Sequence, residues 1–237
     1  MANNLILIIR SLLFYIGHYT IIVTFSLFGV LLRPLSLTKR LKFMRHGVKL
    51  CLFWLKITCN IKHRVHNLEC IEPDKPSILL SRHESTWEAL AFHALFPLQI
   101  NVVKKELKNI PFFGSILKTI SSIMIDREQG LKAIKQVKIK SAEAIKGGFW
   151  VVIFPGGTRI FPRELSQIQS GGAILAKQEK TPVYLVTHNA GTAWPKGTFI
   201  KNPGHIEVYI KRLEAVDTKN IQAINEETHA WFQSQYH

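Results

Sequence analysis

The chain has 237 residues, of which 47% are hydrophobic, and it carries a formal net charge of +15 at pH 7. This length fits one α/β domain with a short appendage, and the strong positive charge implies attraction to nucleic acid, anionic lipid or an anionic substrate. Residues 1–67 contain ten Lys and Arg but no Asp or Glu, and they are also the most hydrophobic part of the chain. That pairing favours an anionic membrane lipid surface, so no nucleic-acid partner is predicted.

Cys51, Cys59 and Cys70 have no CxxC spacing, and no Cys/His set near them resembles a zinc site. We therefore expect ordinary buried thiols in a reducing compartment, and neither a metal nor a cofactor is predicted.

The first predicted element is an apolar helix over residues 11–32, which contain no Asp, Glu, Lys or Arg. As a helix this segment reaches about 33 Å, enough to cross a hydrocarbon core of about 30 Å, and it could equally enter one leaflet as half of a helical hairpin. A cleaved signal peptide is disfavoured, because no small-x-small site follows the apolar run. Residues 48–57 are a second, shorter apolar stretch, which predicts an interfacial helix or a helix packed on the first.

A basic cluster at residues 39–42 follows the first apolar segment. Because Lys and Arg concentrate on the cytoplasmic side of membrane segments, the cluster predicts that the remainder of the chain lies on the cytoplasmic face of the cell membrane. We predict a membrane-binding helical region over residues 1–65 and a second domain over residues 66–237.

From about residue 70 onward, short runs rich in Val and Ile alternate with helical segments. Strands are predicted at residues 77–81, 100–103, 121–125, 150–154, 182–188 and 205–210. Helices are predicted at residues 86–96, 129–146, 171–179 and 219–235. The alternation predicts an α/β fold, in which a layered mixed sheet is flanked by helices and preceded by the N-terminal membrane-attaching helical segment.

His83 and Glu88 lie in the segment SRHESTWE, directly after the strand predicted at residues 77–81. Ser85 to Glu88 fit an S-x-x-E capping box, which begins a helix at Ser85 and directs Glu88 back toward the helix N-terminus. His83 precedes this cap by two residues, so the carboxylate can orient the imidazole while its other nitrogen accepts a proton from a hydroxyl. Taken alone, the motif also fits a Glu88 that only caps the helix.

The segment FPGGTR, residues 154–159, follows the apolar strand predicted at residues 150–154. Its glycines permit positive φ and leave amide N–H groups bare, and with Arg159 at its end the turn can hold a phosphate through bidentate contacts. In isolation the segment equally fits an ordinary loop with a surface Arg.

Residues 103–127 place Lys104, Lys105 and Arg127 beside the ends of apolar strands. A turn is expected at residues 111–114, and a solvated surface role is expected for Lys105.

Together these segments resemble the glycerolipid acyltransferases of the 1-acylglycerol-3-phosphate acyltransferase type. HESTWE is similar to that family's H-x-x-x-x-D motif, KKEL…PFFG…IDR to its second block, FPGGTR to its FPEGTR block and TPVYLV to its final Pro-containing strand. The resemblance covers residues 77–186, and the four blocks in this order are more specific than any one of them.

The resemblance implies a membrane-bound enzyme of phospholipid biosynthesis. Such an enzyme moves a fatty acyl group from acyl-CoA or acyl-carrier protein to the free hydroxyl of 1-acylglycerol-3-phosphate, giving phosphatidic acid. It also implies that His83 is the catalytic base and Glu88 its partner, and that the acceptor's phosphate is bound by Arg159, Arg127, Lys104, Gly157 and Thr158.

Two departures from the family pattern bear on the activity. Glu88 stands where the family's usual residue is Asp, and Gly156 stands where FPEGTR has Glu. The second departure leaves open another lysophospholipid or glycolipid as the acceptor, as well as a non-catalytic membrane protein that binds anionic lipid through Arg159. A serine hydrolase is disfavoured, because no G-x-S-x-G elbow occurs and Ser85 is explained as the helix cap.

Overall fold

A computed structural model describes residues 2–162, Glu164 and residues 167–234, except for the side chains of Ala2, Asn3 and Arg127. Within this part of the chain, the sheet strands are β1 (Ile61–His66), β2 (Ile78–Ser81), β3 (Gln99–Lys104), β4 (Ile123–Ile125), β5 (Trp150–Ile153), β6 (Val183–His188) and β7 (Gly204–Arg212). The helices are α1 (Ala2–Leu31), α2 (Leu37–Cys59), α3 (Trp87–Leu95), α4 (Phe113–Thr119), α5 (Leu131–Lys146), α6 (Gly171–Glu179), α7 (Ala190–Ala193) and α8 (Ile221–Ser234).

The seven described strands form one mixed sheet in the order β1-β7-β6-β2-β5-β3-β4. Neighbouring strands are parallel except for the antiparallel pair β6–β7, so β1 and β7 run opposite to the other five. The carboxyl ends of β2, β3, β4, β5 and β6 therefore meet at one edge of the sheet. Ligand sites of α/β folds lie at such an edge, and the candidate residues follow these strands.

The strand residues alternate between two apolar cores, one on each face of the sheet. Leu79, Trp150 and Val152 pack on one face with residues of α1, α2 and α3, whereas Leu80 and Val151 pack on the other with residues of α6 and α8. Both faces are covered because a mostly parallel sheet has no face that can be left to water. The predicted α/β fold, with a layered mixed sheet flanked by helices, is confirmed.

The two N-terminal helices pack closely against each other. A Cβ atom at Gly17 would overlap the Trp54 ring, and one at Gly47 would overlap the Phe25 ring, so glycine is what lets α1 and α2 approach. Of the two alternatives predicted for residues 48–57, the structure shows a helix that packs on the first, and both helices are longer than predicted. By length and composition, α1 is long and apolar enough to cross a membrane.

The predicted strands and helices after residue 70 are all present, whereas β1, α4 and the short helix α7 were not predicted. β1 has the sequence IKHRVH, and as an edge strand it buries only Ile61, so its polar residues mask the strand pattern. It crosses the predicted domain division at residue 65, and that division stays a prediction. The turn expected at residues 111–114 leads directly into α4, and the last residue of the helix predicted at 219–235 lies outside the described residues.

Candidate active site

His83 and Glu88 are in contact at the carboxyl end of β2. His83 lies in the loop after β2, Glu88 lies in the first turn of α3, and Nδ1 of His83 is 2.8 Å from Oε1 of Glu88. The Glu88 side chain is completely buried, whereas 21% of the His83 side chain is exposed. The two residues reach each other because His83 lies outside the helix, as the capping motif predicts.

Glu88 both caps the helix start and holds His83. Its Oε1 atom also accepts hydrogen bonds from the backbone amides of Glu84 at 2.8 Å and Ser85 at 2.7 Å. Burial by itself raises the pKa of Glu88, but His188, His83 and the Ser85 amide outweigh it, and the pKa lies below its usual value. Glu88 is therefore ionised. Its Oε1 atom both caps the start of α3 and accepts the hydrogen bond from His83, so the two roles considered for Glu88 are compatible.

The contact with Glu88 fixes the chemistry of the His83 ring. Because Nδ1 donates to the carboxylate, Nε2 is the nitrogen that can accept a proton. The ring stacks on Phe154, with 4.3 Å between the ring centroids, and it lines a large cavity. This arrangement places a carboxylate-oriented base at the wall of a space that a substrate can enter.

The Gly-rich turn after β5 lies beside the His83 loop. Gly157 has φ +75°, which a residue with a side chain rarely adopts, and its amide donates to the Phe154 carbonyl at 2.9 Å. The Ile160 amide donates to the His83 carbonyl at 2.9 Å, which ties the turn to the base. Residues 155–159, with Thr158 exposed, line the same cavity as His83.

Arg159 extends from this turn to the start of α3, where its Nη1 atom donates to Oγ1 of Thr86 at 3.0 Å. Arg159 lines the same cavity as His83 and brings a positive charge to it. Lys104, which is exposed at the end of β3, also lines this cavity. The structure thus places Arg159, Lys104, Gly157 and Thr158 in the lining of the cavity that His83 also lines.

The remaining predicted phosphate-binding residue, Arg127, has its side chain outside what the structure describes. Its backbone begins a short 3₁₀ segment, Arg127–Gln129, after β4. Lys105 is not among the residues that line the cavity; its partly exposed side chain pairs with Asp126 at 3.1 Å.

Lys196 is a cavity residue that the sequence did not indicate. Its Nζ atom donates to the Arg159 carbonyl at 2.8 Å and lies 5.5 Å from the centre of the Phe161 ring. A single Lys in the loop WPKG belongs to no motif, so only the fold brings it to Arg159.

A second buried carboxylate supports the His83 loop from behind. Oε1 of Glu84 is 3.0 Å from Nε of Arg82, and Oε2 accepts a hydrogen bond from the Gly191 amide at 3.2 Å. Burial raises the pKa of Glu84 to about 7, against the opposing charge of Arg82. These contacts join the loop before α3 to α7, which follows β6 in the chain.

The cavity has a volume of about 1040 Å³ and extends from His83 to the N-terminal helices. Its wall away from the base is apolar and includes Ile22 and Phe25 of α1, Val48 of α2, Ile116 of α4 and Val137 of α5. A cavity with few polar groups at one end and apolar walls elsewhere fits an amphipathic ligand. Among the described residues, no group of three or more His, Cys, Asp or Glu side chains is placed to hold a metal ion.

Comparisons with known proteins agree with this arrangement. Residues 62–189 match the family described as acyltransferase. The chain is 35% identical to the 1-acyl-sn-glycerol-3-phosphate acyltransferase of Pseudomonas aeruginosa, over 94% of this chain and 88% of that protein. It is 30% identical to the enzyme of the same name from Saccharomyces cerevisiae, over 62% of this chain and 49% of that protein.

The fold has a counterpart among solved structures. The crystal structure of the 1-acyl-sn-glycerophosphate acyltransferase from Thermotoga maritima superposes with a TM-score of 0.77, covering 95% of this chain and 92% of that one. At 19% sequence identity, this likeness concerns the fold alone.

Proposed function

Because this chain belongs to the acyltransferase family, we propose that it transfers a fatty acyl group from a thioester to the free hydroxyl of 1-acyl-sn-glycerol-3-phosphate, giving phosphatidic acid. The observation that carries the proposal is the 2.8 Å contact between His83 and the buried Glu88, at the wall of an apolar cavity that also holds Arg159. A general base, a phosphate-binding cation and an apolar space are what this reaction needs together.

In the proposed reaction, Nε2 of His83 removes the proton from the acceptor hydroxyl as its oxygen attacks the thioester carbonyl. The imidazolium that forms is stabilised by Glu88 at Nδ1. The attack forms the new carbon–oxygen bond and gives a tetrahedral intermediate. Its collapse re-forms the carbonyl and breaks the carbon–sulfur bond, and the leaving thiolate takes the proton from His83. Gly156 of the turn lines the same cavity, and its backbone amide is the candidate to stabilise the oxyanion.

We assign the acceptor's phosphate to the cationic end of the cavity. Arg159 supplies a planar guanidinium, and Lys196 and Lys104 supply two more positive charges along the same wall. We keep Arg127 in this set as an expectation from the family motif. Thr158 would contribute its backbone N–H group beside Arg159, and Gly157, whose own amide donates to the Phe154 carbonyl, would supply the positive φ that shapes the turn.

The apolar part of the cavity is the proposed place of an acyl chain. It is bounded by α1, α2, α4 and α5, so an acyl chain that leaves His83 enters a space partly walled by the membrane-attaching helices. The donor thioester is acyl-CoA or acyl-carrier protein, and both present the same carbonyl to the base.

One observation favours a second acceptor class. Gly156 lines the cavity at the position where the family motif FPEGTR has Glu. The absent carboxylate alters the polarity beside His83, which fits another lysophospholipid or a glycolipid as the acceptor.

We propose that the enzyme attaches to the cytoplasmic face of the cell membrane through α1 and α2, with residues 66–237 carrying the catalysis. Apolar side chains on the outer face of α1 are exposed, among them Leu13, Ile16, Leu27 and Leu31. Basic residues 39–42, which follow α1, would attract anionic lipid.

The contacts of α1 favour insertion into one leaflet. Near one end of the helix Arg10 donates to the Thr58 carbonyl of α2 at 2.6 Å, and Ser11 accepts a hydrogen bond from the Lys201 amide of the folded domain at 2.9 Å. Near the other end Ser26 donates to the Phe112 carbonyl at 3.0 Å. A helix held along its length by the folded domain cannot also stand across a bilayer while that domain stays in water.

The test is product analysis by mass spectrometry, with one acyl-CoA and a panel of lysolipids that includes lysophosphatidic acid, a zwitterionic lysophospholipid and an acylated sugar. Phosphatidic acid is the expected product, formed together with free CoA thiol. Thiol release without any lysolipid would indicate a hydrolase, and no release with any acceptor or either donor would indicate a lipid-binding protein without catalysis.

A further inference from the structure

We propose that His188 is a positioning residue for the His83–Glu88 pair, which it acts on by presenting its Nε2–H group to the second oxygen of Glu88. The inference rests on the proposed function, because it takes His83 as the base and Glu88 as its partner. His188 ends β6, the strand next to β2, and no sequence motif indicated it.

The position of His188 relative to Glu88 is the first observation. Nε2 of His188 is 4.0 Å from Oε2 of Glu88, and both side chains are completely buried. Whereas Oε1 accepts three hydrogen bonds, Oε2 accepts none from the described part of the chain. A buried carboxylate oxygen without a donor is costly, and His188 Nε2 is the polar side-chain nitrogen placed beside it.

The hydrogen bonds of His188 fix which nitrogen carries the hydrogen. The Ala190 amide donates to Nδ1 at 3.3 Å, so Nδ1 is the acceptor and Nε2 carries the hydrogen. Nε2 donates to the Arg82 carbonyl at 3.2 Å. A shift of about 1 Å would bring the same N–H group into hydrogen-bond distance of Oε2.

The charge of the His83–Glu88 pair depends on the charged and titratable groups around it. They are His83, Glu84 and Arg82 from the loop after β2, and His188 from the end of β6. Burial lowers the pKa of His188, although Glu88 opposes the shift, so His188 acts as a neutral N–H donor. Glu84 is engaged by Arg82 and by the Gly191 amide.

A donor at Oε2 stabilises the pair most when His83 is neutral, because the negative charge of Glu88 is then uncompensated. Protonation of His83 neutralises the pair and weakens that interaction. His188 therefore lowers the pH at which the pair takes up a proton and keeps Nε2 of His83 available as a base. Loss of the donor should move the acid limb of the kcat/KM profile to higher pH.

Two substitutions separate the N–H donor from the packing of the ring. His188→Phe keeps the aromatic contacts with Trp87 and Phe92 but has no N–H, whereas His188→Gln keeps an N–H near the position of Nε2. Both variants lose the acceptor for the Ala190 amide, so any structural effect of that loss is shared. The measurements are kcat/KM for acyl transfer from pH 5 to pH 9, and thermal melting of each variant.

For His188→Phe, we expect the acid limb to move up by about half to one pH unit, so that kcat/KM at a pH on that limb falls roughly three- to tenfold. His188→Gln should keep the acid limb of the unchanged protein. Identical pH profiles for the two variants, or activity losses that follow the melting temperature alone, would overturn the inference.

His83→Ala and the unchanged protein are assayed alongside these variants. If the unchanged protein transfers no acyl group, or if His83→Ala retains transfer, the proposed function fails instead. If transfer depends on His83 but the profile of His188→Phe is unshifted, only the role of His188 is wrong.

Discussion

Glu84 and Glu88 are both completely buried, yet their carboxylates face different partners. Glu84 pairs with Arg82 at 3.0 Å, whereas Glu88 holds His83 at 2.8 Å and the amides that begin α3. Neither Glu84 nor Arg82 lines the cavity, whereas His83, the partner of Glu88, does. We therefore expect one glutamate to contribute chiefly to stability and the other chiefly to catalysis.

Glu88→Gln should reduce kcat by about 10²-fold or more with little loss of stability. The amide oxygen can still accept the hydrogen bonds at the helix start, but the neutral group no longer stabilises the imidazolium of His83. Steady-state kinetics and thermal melting measure the two effects separately. Wild-type kcat in this variant would mean that Glu88 only caps the helix.

Glu88→Asp restores the carboxylate of the family motif but draws it back by about 1.5 Å, the length of one C–C bond. Because three donors converge on Oε1, we expect activity between those of the unchanged protein and Glu88→Gln. The same assay gives kcat for the unchanged protein, Glu88→Asp and Glu88→Gln. A lower kcat in Glu88→Asp than in Glu88→Gln would show that the length of the side chain matters more than its charge.

Glu84→Gln should give the opposite pattern. It replaces the carboxylate in the buried pair with Arg82 by a neutral amide, and breaking such a pair costs on the order of 3 kcal/mol of unfolding free energy. Chemical denaturation measures the loss, and kcat of the folded fraction should fall less than in Glu88→Gln. A Glu84→Gln protein of unchanged stability would contradict this division of roles.

His83→Ala should reduce acyl transfer by about 10²- to 10⁴-fold, the usual contribution of a general base, and leave folding and vesicle binding intact. His205→Ala is the matched control, because His205 is exposed on β7 and lies outside the cavity lining. Transfer rates of both variants are compared at one pH with saturating donor. Near-normal turnover in His83→Ala would exclude the proposed base.

Arg159→Ala should lower kcat/KM for lysophosphatidic acid strongly and leave KM for acyl-CoA little changed, because a phosphate monoester carries up to two charges that the guanidinium would meet. Arg159→Lys should recover part of the loss, since Lys lacks the planar fork. Arg64→Ala, at an exposed Arg of β1, is the control. A defect that falls chiefly on acyl-CoA would assign Arg159 to the donor.

The sequence predicted the contact between His83 and Glu88 because both residues are local to one helix start, whose capping pattern fixes their geometry. It predicted the strands of the sheet where burial imposes apolar runs, and it missed β1, whose residues are mostly exposed. Lys196 and His188 reach the site through contacts with Arg159 and Glu88 across the fold. No local pattern encodes such long-range contacts, so only the structure identifies them.

The orientation of α1 can be tested by labelling its two ends. Asn4 lies in the first turn of α1, and Thr38 lies in the first turn of α2, just beyond the other end of α1; both are exposed, and α1 is about 45 Å long. If α1 lies in one leaflet, cysteines placed at these positions by Asn4→Cys and Thr38→Cys should react with a membrane-impermeant maleimide from the same side of sealed vesicles. A helix that crosses the bilayer would present them on opposite sides.

The background for this experiment is Cys70→Ser, because Cys51 and Cys59 are buried and Cys70 is the half-buried thiol. Detergent-opened vesicles give the total labelling of each site, and right-side-out and inverted vesicles report the two faces. We expect both cysteines to be labelled in inverted vesicles alone, as attachment to the cytoplasmic face requires. Labelling of Asn4→Cys in right-side-out vesicles only, with Thr38→Cys labelled in inverted ones, would establish a spanning helix. The polar contacts of Arg10 and Ser26 would then have to break in the membrane.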